Sequence, residues 1–239
     1  MSDRTNELGQ PIGFDVPDWT PCSRPPREPM QGRYVRLAPI NAAAHAQDLF
    51  EAFAADSENR IWTYLPYGPF ASVDDCRTWI ETTCLGEDPL FHAIIDGDTG
   101  RAVGVASYLR IEPAVGVIEV GHINYAPALQ KTRGATEAMF LMMQRVFSEL
   151  GYRRYEWKCD ALNAGSCAAA ARLGFTYEGQ FRQATTYKGR NRDTNWYAIL
   201  DTEWPALERA YEAWLEPLNF DERGVQKTSL ANLMARARA

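Results

Sequence analysis

The sequence is poor in the residues that build metal and disulfide sites. It has three histidines (His45, His92, His122) and five cysteines (Cys22, Cys76, Cys84, Cys159, Cys167). No two cysteines stand in C-x-x-C spacing and none has a histidine close by in sequence, so no metal site is expected. The odd cysteine count argues against a disulfide framework, and reduced thiols in a cytoplasmic setting are the expectation. The N-terminal stretch "MSDRTNELGQ" has no apolar run that would read as a signal peptide. No run anywhere is long enough to predict a membrane span, so no membrane partner is expected. Basic surplus is also missing: 25 Lys and Arg stand against 31 Asp and Glu, a net charge of −6. That balance excludes a general nucleic-acid binder. Finally there is neither G-x-G-x-x-G nor G-K-[ST], so the glycine pattern rejects a dinucleotide-dependent oxidoreductase and a P-loop enzyme.

What is present is a core. A hydrophobic fraction of 46% over 239 residues suffices for one large domain. Residues 1–30 hold six of the fourteen prolines and read as an extended arm, docked through Phe14 and Trp19. A domain follows over 31–203. Strands are predicted at 33–40, 90–96, 101–111, 116–126 and 153–160, with a hairpin after 176 turning around "GRNR". Helices are predicted after Asn41, at 72–85 from Ser72, over roughly 135–150, and at 163–175, where Gly174 ends the helix. A helical extension covers 204–239. The order predicts a mixed α+β sheet of six or seven strands with helices on both faces. It does not form the repeating βαβ series of a doubly wound nucleotide fold.

The most informative stretch is "QKTRGATEA", residues 130–138. A helix N-terminus leaves N–H groups unpaired and carries partial positive charge, so it suits phosphate. Gly134 and Ala135 lack bulk, Lys131 and Arg133 add charge, and Gln130 can hydrogen-bond. The stretch therefore reads as a pyrophosphate cradle. A strand later comes "NAGS" (163–166), then "LGFTYEG" (173–179). With these two motifs in this order, the sequence resembles the GCN5-related N-acetyltransferase (GNAT) superfamily over roughly 33–202. It is most similar to the branch of ribosomal-protein N-terminal acetyltransferases. The family's first loop glycine falls at Arg133 here.

The resemblance implies a GNAT fold in which the strand before the cradle splays from its parallel neighbour. It implies acetyl-CoA as co-substrate and direct acetyl transfer to a primary amine, on a protein N-terminus or a small molecule. Backbone at Ile123, Asn124 and Tyr125 would meet the pantetheine or polarise the thioester, and Gln130, Lys131, Thr132, Arg133, Gly134 and Ala135 would hold the pyrophosphate. Asn163 would bind the pantetheine amide and Ser166 would protonate the departing thiolate. Glu119, a carboxylate set mid-strand between Ile118 and Val120, is the first candidate for the proton acceptor, with His122 behind it. Trp62, Tyr64, Tyr67, His122 and Tyr187 would line the acceptor pocket. The acidic balance mildly favours a cationic acceptor. Cys167 needs no nucleophilic role in a direct transfer. The alternative is a non-catalytic coenzyme A-binding or interaction module that kept the fold. Monomer and homodimer both stay open.

Overall fold

The computed structural model describes residues 4–238. Eight strands form one sheet: β1 (Met30–Gln31), β2 (Val35–Pro39), β3 (Leu90–Asp96), β4 (Ala102–Glu112), β5 (Val117–Tyr125), β6 (Arg154–Asp160), β7 (Thr176–Tyr187) and β8 (Arg190–Leu200). Their spatial order is β1-β2-β3-β4-β5-β6-β8-β7, and β5–β6 is the parallel pair among antiparallel neighbours. The expected mixed sheet is thus present. The additional strand is β1, two residues at the end of the proline-rich arm that pair with Arg36 and Leu37.

Side-chain caps set the helix starts. Asn41 accepts from Ala44 N–H to open α1 (Ala42–Ala54), and Ser72 accepts from Asp75 N–H to open α2 (Val73–Trp79). Thr132 opens α3 (Arg133–Gln144), and Asn163 opens α4 (Ala164–Arg172). Gly174, at φ +94°, ends α4. Helices α5 (Trp204–Leu215) and α6 (Leu230–Arg238) complete the chain.

Alternation along the strands sends side chains to two cores. On one face Ile118, Val120, Tyr155, Trp157 and Ile199 pack with α3, α5 and α6. On the other, Phe91, Ala93, Ile95 and Val105 pack with α1 and α2. Helix α3 is enclosed from Gly134 to Met143, which explains the unbroken apolar run "MFLMM". Trp204, Leu207, Tyr211 and Trp214 of α5 share that core, so the C-terminal stretch is built into the domain.

The arm is docked. Trp19 Nε1 donates to Ala114 O (3.0 Å), Cys22 N–H to Pro113 O (3.0 Å), and Tyr152 Oη to Ser23 O (3.1 Å). Buried Arg145 donates to Glu28 O and Pro29 O. Phe14, by contrast, is exposed. Among the described residues no helix is long and apolar enough to cross a membrane.

Candidate active site

The site begins where β5 and β6 part. Their parallel register runs from Val117–Arg154 to Val120–Trp157 and stops, although both strands continue. A bulge on β5 accompanies the separation. His122 and Ile123 together oppose Ala106, because Gly121 pairs with Ser107 and Asn124 with Val105. His122 sits at φ +50°, which turns the strand. Ala126 N–H bonds Val103 O on β4. Alternation then points the backbone of Asn124 at β4 and that of Ile123 and Tyr125 into the gap. Asn124 therefore reaches the cleft by its side chain, a correction to its expected backbone role. The Tyr125 carbonyl is already taken by Gln130 Nε2 (2.9 Å).

The gap leads to the N-terminus of α3. Lys131, in the left-handed region at φ +60°, reverses the chain before the helix. Thr132 Oγ1 accepts from Ala135 N–H (3.1 Å) and donates to Leu129 O (2.7 Å), so Thr132 and the Ala135 amide are both spent on capping. The amides of Lys131, Arg133 and Gly134 have no partner among the described residues. These three N–H groups are what the helix end offers an anion. Gly134 serves a different purpose from the one expected of it. A Cβ there would stand 2.7 Å from Val35 Cγ1, so the glycine lets α3 lie against β2. Arg133 does not crowd the turn, since its guanidinium lies between the rings of Tyr34 and Phe220, 4.7 and 4.8 Å from their centroids.

Helix α4 forms the far wall. Asn163 Oδ1 caps Ser166 N–H (3.0 Å), and Ser166 Oγ accepts from Trp157 Nε1 (2.9 Å). An oxygen that accepts from an indole keeps its own proton for another partner. Trp157 is the last β6 residue in register with β5, so this hydroxyl is held at the mouth of the gap. Beside it Cys159 and Cys167 are in contact, Sγ to Sγ 3.7 Å. Burial pushes the Cys159 thiol up to about 12, so it is a packed thiol and not a nucleophile.

The sheet face beyond α1 and α2 carries a chain of charges. Glu119 accepts from Arg110 (2.5 Å) and Lys158 (2.9 Å). Lys158 also meets Glu156 (2.8 Å), Glu156 meets Arg154 (2.6 Å), and Arg154 reaches Glu178 (2.5 Å). Lys158 lies 3.7 Å from the centroid of Trp196. Glu119 and Lys158 are both almost wholly buried. Removing one partner would strand a buried charge. Sequence reading marked Glu119 as unusual but could not see these cations, which lie on β4 and β6.

His122 is stacked on Tyr67, ring centroids 5.7 Å apart. Burial, then the cations Arg110 and Arg192, push its pKa down to about 4, so it is neutral above about pH 5. Tyr64 donates to Leu162 O (3.0 Å) and Tyr187 to Asp160 Oδ2 (2.7 Å). Burial, then that bond, raises the Tyr187 phenol to about 12. Trp62 does not line the cleft. It is buried among Phe53, Tyr67 and Phe70, and Tyr67 lies beneath His122. Lys188 Nζ clamps this loop to the β7–β8 hairpin by donating to the carbonyls of Trp62, Tyr67 and Gly68.

These elements enclose one cleft of ≈ 1710 Å³. Clefts that hold one drug-sized ligand have roughly 300–1,000 Å³, so the space suits a large ligand together with a second one. It runs from Lys131 and Gly134's helix end, past Ser166, to Tyr64, Arg110 and Arg192. Trp214, Phe220 and Gln226 wall its helix-end side. They come from the C-terminal stretch, and nothing in the local sequence signals that placement. Among the described residues no three His, Cys, Asp or Glu gather as metal ligands.

The acetyltransferase (GNAT) domain family matches residues 35–176, and the chain belongs to that family. It is similar to the crystal structure of a GCN5-related N-acetyltransferase from Brucella melitensis, with 46% identity and TM-score 0.90 over 92% of this chain and 100% of that one. A probable GNAT-family acetyltransferase from Chromobacterium violaceum shares 42% identity, TM-score 0.76, over 82% and 97%. The ribosomal L7/L12 α-N-protein acetyltransferase RimL, in complex with coenzyme A, shares the fold at 20% identity and TM-score 0.59, over 72% and 98%. No curated protein matches the sequence.

Proposed function

We propose that this chain transfers the acetyl group of acetyl-CoA directly to a primary amine. The observation that carries the reading is the parting of β5 and β6 after Val120 and Trp157, with the Ser166 hydroxyl held at the opening. When bound, acetyl-CoA supplies an activated thioester. The residues present fit it. The unpaired amides of Lys131, Arg133 and Gly134 suit its phosphates, and the backbone of Ile123 with Tyr125 N–H suits its pantetheine arm. Such fixed donors also stabilise developing negative charge on a carbonyl oxygen.

Ser166 donates its proton to the leaving sulfur, because its hydroxyl accepts from Trp157 Nε1 and so keeps its own O–H to give. The amine must lose a proton to attack. Glu119 already holds Arg110 and Lys158, so its role is to organise the charged floor. His122 is neutral, lines the cleft and has no hydrogen-bond partner among the described residues. With a pKa of about 4 it is too weak a base to strip an ammonium, so it orients the amine or the water that carries the proton away.

The non-catalytic alternative rests on Arg133 at the loop and on the lack of an unambiguous base; Arg133 lies against Tyr34 and Phe220, out of the turn, and the second ground stands. Calorimetry with acetyl-CoA, followed by thiol release over a panel of amines, tests the proposal. Binding with turnover supports it. Binding with no turnover on any amine returns the non-catalytic reading, and no binding at millimolar acetyl-CoA overturns both.

A further inference from the structure

The acceptor end of the cleft has an asymmetry in its unpaired polar groups. Its three buried carboxylates are all engaged. Glu119 and Glu156 lie in the charge chain, and Asp160 accepts from Leu162 N–H (2.9 Å) and Tyr187 Oη. Apart from the neutral His122 ring, the unpaired groups there are donors.

Arg192 is the first. The hairpin turns at Lys188–Gly189, both at positive φ, so Arg190 to Arg192 belong to β8 and not to the turn. Alternation then puts Arg192 on the same face as Thr194 and Trp196, which is the face of Lys158. Its Nε donates to Thr194 Oγ1 (3.1 Å), and its guanidinium lies 5.9 Å from the Tyr187 ring centroid. Among the described residues it has no ion pair, and its two terminal nitrogens have no partner. It is half-buried and lines the cleft near His122.

Asn124 is the second. Its side chain shares a face with Ala126, which packs in the α1/α2 core. It is 3% exposed, lines the cleft, and its Nδ2 has no hydrogen-bond partner. A buried donor without an acceptor is costly until a ligand supplies one. The two residues lie on different strands, and Arg192 is the one whose free terminal nitrogens line the cleft.

We infer that the acceptor amine carries an anionic group, a carboxylate or a phosphate, and that Arg192 is the residue that selects for it. This rests on the acetyltransferase reading and deepens it. The planar guanidinium, preset by Thr194 and Tyr187, offers two terminal N–H donors to such an oxyanion. The inference runs against the protein's net charge of −6, because local pairing, and not the total, decides which charges are free to meet a ligand.

The test is thiol release from acetyl-CoA by the full chain, with acceptors in matched pairs: amino acids against their amides, and phosphoethanolamine against ethanolamine. The wild-type chain is expected to favour the anionic member by ~10-fold or more in kcat/KM. In Arg192→Gln the ratio collapses towards one, by ~10- to 100-fold, mostly through the KM of the anionic member. Arg192→Lys restores part of it. A residue with a purely structural role would lower both members alike. Preference for the carboxylate pairs or for the phosphate pair tells the two anions apart. Equal use of both members by the wild type, or an unchanged ratio in Arg192→Gln, overturns the anion site and leaves acetyl transfer standing. Turnover of no member of any pair counts against acetyl transfer itself, and the anion site falls with it.

Discussion

Glu137 offers a quantitative check on how the helix end is held in place. This glutamate of "ATEA" does not face the cleft. Its Oε1 accepts from Arg33 N–H (2.8 Å), and its Oε2 accepts from Tyr34 N–H (2.6 Å) and Val35 N–H (2.8 Å). It thereby pins the β1–β2 turn to α3, one helical turn from the amides proposed to hold phosphate. In Glu137→Ala all three donors lose a charged acceptor. A hydrogen bond to a charged group contributes about 1.5–3 kcal/mol when buried, and water replaces much of it where it can reach. Val35 is buried, Tyr34 is half-buried and Arg33 is exposed. The sum is about 2–3 kcal/mol for Val35 and about 0.5–1 kcal/mol for each of the others, or about 3–5 kcal/mol. Glu137→Gln can keep its oxygen on the Tyr34 and Val35 amides and loses Arg33, at about 1–2 kcal/mol. Urea denaturation with an unchanged m-value measures both. An alanine variant within about 1 kcal/mol of wild type, or a glutamine variant as unstable as the alanine one, refutes the reasoning.

Gly134→Ala should lower Tm and acetyl-CoA affinity together, by overpacking of about 1–3 kcal/mol against Val35. Val35→Ala in the same chain should recover both, and calorimetry with thermal melts decides it. Ser166→Ala should lower kcat by ~10- to 100-fold while the Kd for acetyl-CoA changes little, since a general acid acts in the transition state. Equal loss in both would make Ser166 a binding residue. Acid should destabilise the fold. Burial, then Arg145, holds His92 at about 4, and burial with Arg110 and Arg192 holds His122 at about 4, from an ordinary 6.5. The unfolded chain therefore binds more protons between these values, and stability falls as pH drops from about 6.5 to 4, by about 2–3 kcal/mol for each histidine. His92→Leu should flatten that slope in urea melts taken across the range, and an unchanged slope would contradict it.

Much of the fold was legible because its signals are local. Alternation marked seven of the eight strands, and Asn41, Ser72 and Asn163 stand where helices are expected to begin, whereas Thr132 caps a helix expected to start nearer residue 135. The eighth strand, Met30–Gln31, is too short to show a period and exists only by pairing with β2. The turn of the last hairpin was read two residues late, around "GRNR", because Lys188 takes a positive φ that a lysine rarely adopts. That slip hid Arg192 inside a turn. The cradle motif located the right helix end, but its residues divide by role. Thr132 caps, Gly134 packs on Val35, Glu137 ties a distant turn, and Arg133 stacks on aromatic rings. The last three roles depend on partners from β2, the turn before it and the C-terminal stretch, about a hundred residues away in each direction, and no window of sequence contains them. The same holds for Trp157 with Ser166 and for the cations around Glu119.

A crystal structure of the full chain with coenzyme A tests the central claim most directly. It should show the pantetheine lying between β5 and β6 beyond Val120 and Trp157, bonded to the backbone of Ile123 and Tyr125. The pyrophosphate should sit on the amides of Lys131, Arg133 and Gly134, with the sulfur near Ser166 Oγ. Coenzyme A bound elsewhere, or β5 and β6 zipped together to their ends with the ligand present, would contradict it.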